Sequence, residues 1–222
     1  MIKTKGIFLD LDNTLYSYEE CHTFGLKCAF DFFVNQNVFS TYDSFYKSYE
    51  NAKKQVKIRN KSLASSHSRL LYFKEVLEVQ NTFSIKLAIG STKAYWDGYF
   101  SKMKLFDDAV EFLEKYKDKL ICIVTDLTCQ IQLEKIEALG IEKYIDYIVT
   151  SEDAGIEKPH KNIFKLALLK TDLSNQEVVF IGDSYEKDYL GAQSVNIDSY
   201  HLNRLGTSLS KNKTISSLSE LL

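Results

Sequence analysis

The sequence predicts an α/β protein in which a doubly wound parallel sheet carries an inserted block of helices. Short apolar runs, many of them rich in β-branched residues, alternate along the chain with helical patterns. Such runs are typical of parallel strands, because helices cover both of their faces. The alternation is interrupted once, by a long stretch that has helical periodicity alone. We therefore expect one layered core and one helical insertion.

The strands and helices of the core follow from these patterns in order. Helices are expected at about 128–139, 159–170 and 186–194, and Gly140 stands just past the first of them, where helices commonly end. Because strands and helices alternate, the strands should lie parallel in one sheet. The apolar runs that predict the strands are 6–9, 120–124, 147–149 and 178–181.

Residues 16–100 carry the helical insertion, which we interpret as a cap domain. Aromatic and small apolar residues recur there at spacings of three to four, as Phe45, Tyr49 and Ala52 do. Such stripes usually mark the packing faces of amphipathic helices, and we favour that interpretation over an aromatic ligand site. The predicted Rossmann-like core, which contains the sheet, then comprises residues 1–15 and 101–222.

Composition and charge exclude several classes of protein. The chain has 222 residues, of which 45% are hydrophobic and 26% charged, and no apolar stretch approaches the length of a membrane span. The first residues lack the order of a signal peptide, so a cytoplasmic location is expected. A net charge of -2 argues against a nucleic-acid polymer or a membrane as partner, and it indicates no oligomeric state.

Common cofactor motifs are missing from the sequence. The four cysteines include no CxxC pair, and the four histidines follow no metal-binding spacing. Neither GxxxxGK[ST] nor GxGxxG occurs, which argues against a P-loop or a dinucleotide site.

Acidic residues follow two of the predicted strands directly. Asp10 and Asp12 come after the first strand, whereas Asp183 comes after the fourth and is followed by Asp188. The carboxyl ends of parallel strands form the ligand-binding edge of an open α/β sheet, so these carboxylates should lie close together. Clustered carboxylates repel one another, and a hard divalent cation is well suited to their oxygens. Mg²⁺ is therefore the expected cofactor.

The other two strand ends each offer one further polar group. Thr125 ends the second predicted strand, and Lys158-Pro159 follows the third. Taken singly, such residues are usually structural, but together with Asp10-Leu11-Asp12-Asn13-Thr14 and Gly182-Asp183-Ser184 they form four ordered motifs. In this order and spacing the sequence resembles the haloacid dehalogenase-like hydrolase superfamily over essentially its whole length.

This resemblance implies a Rossmann-like core with a helical cap, and a phosphatase that acts on a small phosphorylated metabolite. By similarity, Asp10 is the nucleophile that forms an aspartyl-phosphate, and Asp12 transfers protons to the leaving group and from water. Mg²⁺ would be held by Asp10, the backbone carbonyl of Asp12 and Asp183, with Asp188 orienting these ligands.

The phosphate-binding positions implied by the resemblance are Thr125, Asp126 and Lys158. Many relatives carry Asn where this chain has Asp126, and a second acid beside the phosphate would weaken anion binding. The dehalogenase branch resembles the chain less at Asp12, because cleavage of a carbon–halogen bond needs no leaving-group acid. The substrate is expected to be a nucleoside monophosphate or a sugar phosphate. A phosphomutase of the same fold and a non-catalytic phosphate-binding module remain alternatives.

Overall fold

A parallel sheet forms the centre of one of the two units into which the chain divides. The computed structural model describes residues 2–204, 206 and 213–222. Within these residues the sheet has six strands in the order β3-β2-β1-β4-β5-β6, and each neighbouring pair is parallel. The strands are β1 Gly6–Leu9, β2 Leu120–Thr125, β3 Tyr147–Thr150, β4 Val178–Gly182, β5 Asp198–Leu202 and β6 Thr214–Ile215.

The predicted doubly wound α/β fold is confirmed. Strand β1 lies in the middle of the sheet, where Leu9 pairs with Ile123 of β2 and with Ile181 of β4. All four residues of β1 are buried, as a central strand covered by helices requires. Phe8 and Phe180 are fully buried in the core on one face of the sheet. The carboxyl ends of β1, β2 and β4 therefore meet at one edge.

Two strands were not predicted. Strand β5 has the sequence Asp-Ser-Tyr-His-Leu and is only partly buried, so it lacks the continuous apolar run that marked the other strands. Strand β6 has two residues, too few to give any periodic signal. Both lie at one side of the sheet, where burial demands less of the sequence.

The second unit, Tyr18–Met103, is helical. The first unit comprises Met1–Ser17 and Lys104–Leu222, so the division lies within three residues of the predicted domain boundaries. A short 3₁₀ turn at Ala64–His67 precedes the third helix of the second unit. No helix of the described residues is long and apolar enough to cross a membrane. The helices are α1 Tyr18–Asn35, α2 Tyr42–Arg59, α3 Arg69–Val79 and α4 Ile85–Ser101.

Two of the three helices predicted for the sheet-containing unit, those at 128–139 and 159–170, are present as α6 and α8. The third prediction, a helix at 186–194, is wrong in type: a π-helix at Tyr185–Leu190 precedes the short α9. Its first turn is wide because the Ser184 carbonyl accepts hydrogen bonds from both Asp188 N at 2.9 Å and Tyr189 N at 3.2 Å. The α-helices are α5 Asp107–Lys115, α6 Cys129–Leu139, α7 Ser151–Ala154, α8 Lys161–Thr171 and α9 Gly191–Gln193.

Two glycines allow α1 and α4 to approach each other closely. A Cβ atom at Gly25 would lie 2.8 Å from the Tyr95 carbonyl oxygen and 3.0 Å from the Tyr95 ring. A Cβ atom at Gly98 would lie 2.5 Å from Cys28 Sγ. Because real Cβ atoms do not approach other atoms this closely, a larger residue at either position must push the two helices apart.

Gly25→Ala is expected to lower the free energy of unfolding of the protein by about 1–3 kcal/mol, the usual cost of overpacking. At an open helical position the same change would raise the free energy of unfolding by up to about 1 kcal/mol. The sign of the change in this free energy therefore tests the close packing. Urea denaturation followed by far-UV circular dichroism measures it, with Lys86→Ala on the exposed face of α4 as control. A Gly25→Ala protein as stable as the wild type would contradict the close packing.

Candidate functional site

A buried ammonium group links the residues that follow the central strands. Lys158 Nζ donates hydrogen bonds to Asp10 Oδ1 at 2.6 Å, to Asp188 Oδ1 at 2.6 Å and to the Val124 carbonyl oxygen at 3.1 Å. The exposed fractions of Lys158, Asp10 and Asp188 are 4%, 5% and 1%. An ammonium group has three hydrogens, and all three are used, so the position of Nζ is fixed.

The site contains more carboxylates than the single Lys158 ammonium group can neutralise. Asp10, Asp183 and Asp188 each offer a carboxylate oxygen, and these atoms lie within 4.8 Å of one another. Burial raises the pKa of Asp10 well above its usual value; Lys158 opposes this rise, and the charges of Asp188, Asp183 and Asp12 add to it. Burial, followed by the charge of Asp188, raises the pKa of Asp183 to about 6.

The chemistry of this donor set fits a hard divalent cation. Carboxylate oxygens are the preferred ligands of Mg²⁺ and Ca²⁺, whereas softer metals favour thiolate or imidazole. A cation at the cluster would offset the repulsion that raises the pKa values of Asp10 and Asp183. The cluster thus suits the predicted metal site in both charge and ligand type.

Asp188 is held by the backbone as well as by Lys158. Its Oδ2 accepts a hydrogen bond from Ser184 N at 3.0 Å, so both of its oxygens have partners. A Cβ atom at Gly182 would lie 2.4 Å from Asp188 Oδ2, which means that only glycine allows this approach. The wide turn of the π-helix that contains Asp188 shapes the same loop.

Asp126 lies beside Lys158 but is paired with another cation. Its Oδ1 accepts a hydrogen bond from the backbone N–H of Lys158 at 2.9 Å, and its Oδ2 pairs with Lys187 Nζ at 2.7 Å. Lys187 therefore neutralises the charge of Asp126. The Asp126 side chain fixes the loop that carries Lys158.

The Thr125 hydroxyl lies at the end of β2 and is buried. Its oxygen accepts a hydrogen bond from Gln132 Nε2 at 2.6 Å. Its own hydrogen is directed at the Asp126 carbonyl oxygen over 3.4 Å, a distance at the weak limit for a hydroxyl donor. The hydroxyl can therefore turn toward a stronger acceptor.

Asp12 has partners that the sequence did not indicate. Lys135 Nζ lies 2.7 Å from Asp12 Oδ1 and 2.9 Å from Oδ2, and the Tyr16 hydroxyl donates to Oδ1. Lysine on a helix is usually solvent-exposed, so periodicity gave no reason to select Lys135. A signal is nonetheless present, because Gln132, Lys135 and Ile136 share the helical spacing of the buried face of α6.

Comparison with known proteins identifies relatives of this chain. It matches the haloacid dehalogenase-like hydrolase family over residues 4–196. It is 38% identical over 199 residues to the ribulose-1,5-bisphosphate 5-phosphatase of Halopiger xanaduensis, a match that covers 87% of this chain and 82% of that protein. It is 26% identical over 202 residues to the glyceraldehyde 3-phosphate phosphatase of Methanothermobacter thermautotrophicus, covering 90% and 85% of the two chains.

Solved structures share the fold. The 2-haloacid dehalogenase from Pseudomonas syringae has a TM-score of 0.80 at 19% identity and covers 98% of this chain and 96% of its own. A HAD phosphatase from Thermococcus onnurineus has a TM-score of 0.74 at 20% identity, with coverages of 98% and 95%. Because enzymes of two activities share this fold, the side chains of the site must decide between them.

Asp183→Asn is expected to stabilise the metal-free protein more at pH 7.5 than at pH 4.5. An unfolded aspartate has a pKa of about 3.9, so between about pH 4 and pH 6 the folded protein binds a proton that the unfolded chain releases. The folded state consequently loses stability as the pH rises through this window, by about 2–3 kcal/mol for a shift of about two pKa units. The variant does not suffer this loss.

Urea denaturation in EDTA at the two pH values measures the difference. Asp118→Asn is the matched control, because Asp118 is exposed in the same unit of the protein. A stabilisation by Asp183→Asn that does not change with pH would contradict the expected proton uptake.

Proposed function

This chain belongs to the haloacid dehalogenase-like hydrolases, and from that membership we propose that it is a Mg²⁺-dependent sugar-phosphate phosphatase working through an aspartyl-phosphate. It is a hydrolase of phosphoric monoesters. The observation that carries the proposal is the arrangement of Asp10, Lys158, Asp183 and Asp188 at the carboxyl edge of the sheet. Asp12 supplies a further carboxylate two residues after Asp10.

Asp10 is the proposed nucleophile. One of its carboxylate oxygens attacks phosphorus, the bond between phosphorus and the sugar oxygen breaks, and Asp12 gives its proton to that oxygen. In the second step Asp12 takes a proton from water, and the resulting hydroxide attacks phosphorus. The bond between phosphorus and Asp10 then breaks, which restores the carboxylate and releases inorganic phosphate.

Lys158 and Thr125 are the proposed contacts of the transferring phosphoryl group. Lys158 Nζ already lies 2.6 Å from Asp10 Oδ1, so its charge is next to the point of attack. The Thr125 hydroxyl has only a weak acceptor and can donate to a phosphoryl oxygen instead. Asp126 is the third residue proposed for phosphate binding. It contributes indirectly, because its side chain accepts a hydrogen bond from the backbone N–H of Lys158.

Mg²⁺ would be bound by Asp10, the backbone carbonyl of Asp12 and Asp183, with Asp188 holding the surrounding loop. When bound there, the ion would supply positive charge that offsets the repulsion between the carboxylates and the substrate phosphate. The acidic cluster supports this assignment through its all-oxygen donor set.

Two arguments favour a sugar phosphate over a haloacid as substrate. Relatives that align over most of their length act on ribulose 1,5-bisphosphate and on glyceraldehyde 3-phosphate, as their names state. Asp12 adds a chemical reason, since an alkoxide leaving group needs a proton whereas a halide does not. These arguments support phosphate ester hydrolysis even though the fold is shared with a dehalogenase.

Asp10→Asn is expected to lower phosphate release by at least about 1,000-fold, because the amide cannot act as the nucleophile. The assay measures inorganic phosphate from a panel of sugar mono- and bisphosphates and nucleoside monophosphates, with Mg²⁺ and with EDTA. Wild-type turnover should require Mg²⁺ and should be restored after EDTA treatment by excess Mg²⁺. Asp107→Asn, at an exposed position of the same unit, is the control.

Several outcomes would contradict the proposal. Undiminished turnover in Asp10→Asn would exclude Asp10 as nucleophile. Turnover that depends on a bisphosphate activator and transfers phosphate between sugars would indicate a phosphomutase. A substrate preference for nucleoside monophosphates would retain the mechanism and overturn the sugar-phosphate assignment.

A pair of variants tests the role of Asp126. Asp126→Asn keeps an oxygen that accepts the Lys158 N–H, so kcat/KM should stay within about threefold of the wild type, as the loss of a partly exposed ion pair suggests. Asp126→Ala removes that acceptor, and kcat/KM should fall by about 10-fold. Equal losses in the two variants would indicate that the charge of Asp126 matters and that its hydrogen bond does not.

A further inference from the structure

Lys135 is a buried lysine whose charge lies against Asp12. Its side chain is 1% exposed, and Nζ contacts both oxygens of the Asp12 carboxylate, at 2.7 Å and 2.9 Å. Moving an ammonium group out of water costs several kcal/mol unless a close partner compensates it. The contact with Asp12 therefore allows Lys135 to be buried on the inward face of α6. The same contact holds the Asp12 carboxylate in position.

A second donor holds the same carboxylate. The Tyr16 hydroxyl donates to Asp12 Oδ1, and Tyr16 itself is fully buried. The backbone of Tyr16 is fixed by bridges to Asp12 and to Leu105. The Asp12 side chain retains 29% exposure, so a substrate oxygen can still reach it. Lys135 and Tyr16 thus both hold the Asp12 carboxylate, whose side chain stays partly exposed.

Lys158 does not provide this anchor, although Asp12 lies only two residues from Asp10. Lys158 is occupied by Asp10, Asp188 and the Val124 carbonyl, so it has no hydrogen left to give to Asp12. Lys135 supplies the attraction that Lys158 does not.

We propose that Lys135 is a positioning residue for proton transfer: it holds the Asp12 carboxylate where the leaving oxygen of the substrate is protonated. This inference rests on the proposed function, because it assigns the role of Asp12 to the cleavage of a phosphate ester. In this role Lys135 acts through its contact with Asp12 and takes no direct part in bond breaking. Its effect on turnover passes through the geometry of Asp12, and a displacement of about 1 Å is enough to slow such a step.

Leaving groups of different basicity distinguish positioning from a merely structural role. A sugar alkoxide requires a proton as it leaves, whereas p-nitrophenolate is stable without one. The ratio kcat/KM reports on steps up to the formation of the aspartyl-phosphate, and the later attack of water does not affect it. A misplaced Asp12 should therefore lower kcat/KM for sugar phosphates and leave kcat/KM for p-nitrophenyl phosphate nearly unchanged.

Lys135→Met retains the length of the side chain and removes the charge. We expect kcat/KM for the best sugar phosphate to fall by about 100-fold, the usual contribution of a general acid, and kcat/KM for p-nitrophenyl phosphate to fall by less than about threefold. Lys135→Arg should recover part of the loss, because a guanidinium also binds a carboxylate through two hydrogen bonds. Lys161→Met, an exposed position in the same unit, is the control.

Further variants keep the test decisive if Lys135→Met does not fold. Tyr16→Phe removes the other donor while keeping the buried ring, and it should cause a smaller loss with the same selectivity for sugar phosphates. In an Asp12→Asn background, Tyr16→Phe and Lys135→Met should have no further effect on kcat/KM, because the group they position is then absent.

The results separate this inference from the proposed function. A selective loss with sugar phosphates supports the positioning role of Lys135. An equal loss with both leaving groups, or no loss in a folded variant, overturns it while leaving the phosphatase intact. Wild-type protein that releases no phosphate from any ester in Mg²⁺ would instead overturn the proposed function itself.

Discussion

The interior ammonium group of Lys158 is the interaction on which the rest of the candidate site depends. Its three hydrogen bonds reach Asp10 after β1, the Val124 carbonyl in β2 and Asp188 after β4. These are neighbouring strands, so one side chain joins the carboxyl ends of the central sheet. Without the ammonium, two buried carboxylates would lose their cationic partner, at a cost of about 3–5 kcal/mol. The Lys158 ammonium group therefore both connects the strand ends and offsets the negative charge of the site.

Three lysines form ion pairs with most of the acidic residues at this edge of the sheet. Lys158 pairs with Asp10 and Asp188, Lys187 with Asp126, and Lys135 with Asp12. Asp183 is not among the acids held by these three lysines, and burial and its acidic neighbours raise its pKa. That distribution concentrates the uncompensated negative charge near Asp10 and Asp183, where a divalent cation is proposed to bind.

The sequence predicted those features that depend on continuous local patterns. Strands β1 to β4 could be predicted because each contains a continuous apolar run, whereas β5 lacks such a run and β6 is very short. Asp10, Lys158, Asp183 and Asp188 could be selected because each follows a strand. Lys135 could not, since its importance arises from a contact with Asp12 across 123 positions of the chain. The π-turn at Tyr185–Leu190 also escaped prediction, because it differs from an α-helix in hydrogen bonding and hardly at all in composition.

The central position of β1 in the sheet has a consequence for the synthesis of the protein on the ribosome. Gly6 pairs with Leu120 and with Val178, so the strand that precedes Asp10 is made long before either of its neighbours. The helical unit Tyr18–Met103 emerges in between and relies on contacts within itself, such as the packing of α1 against α4. Lys158 and Asp188 emerge later still. A nascent chain therefore carries Asp10, the proposed nucleophile, before Lys158 and Asp188, which complete the candidate site, have been made.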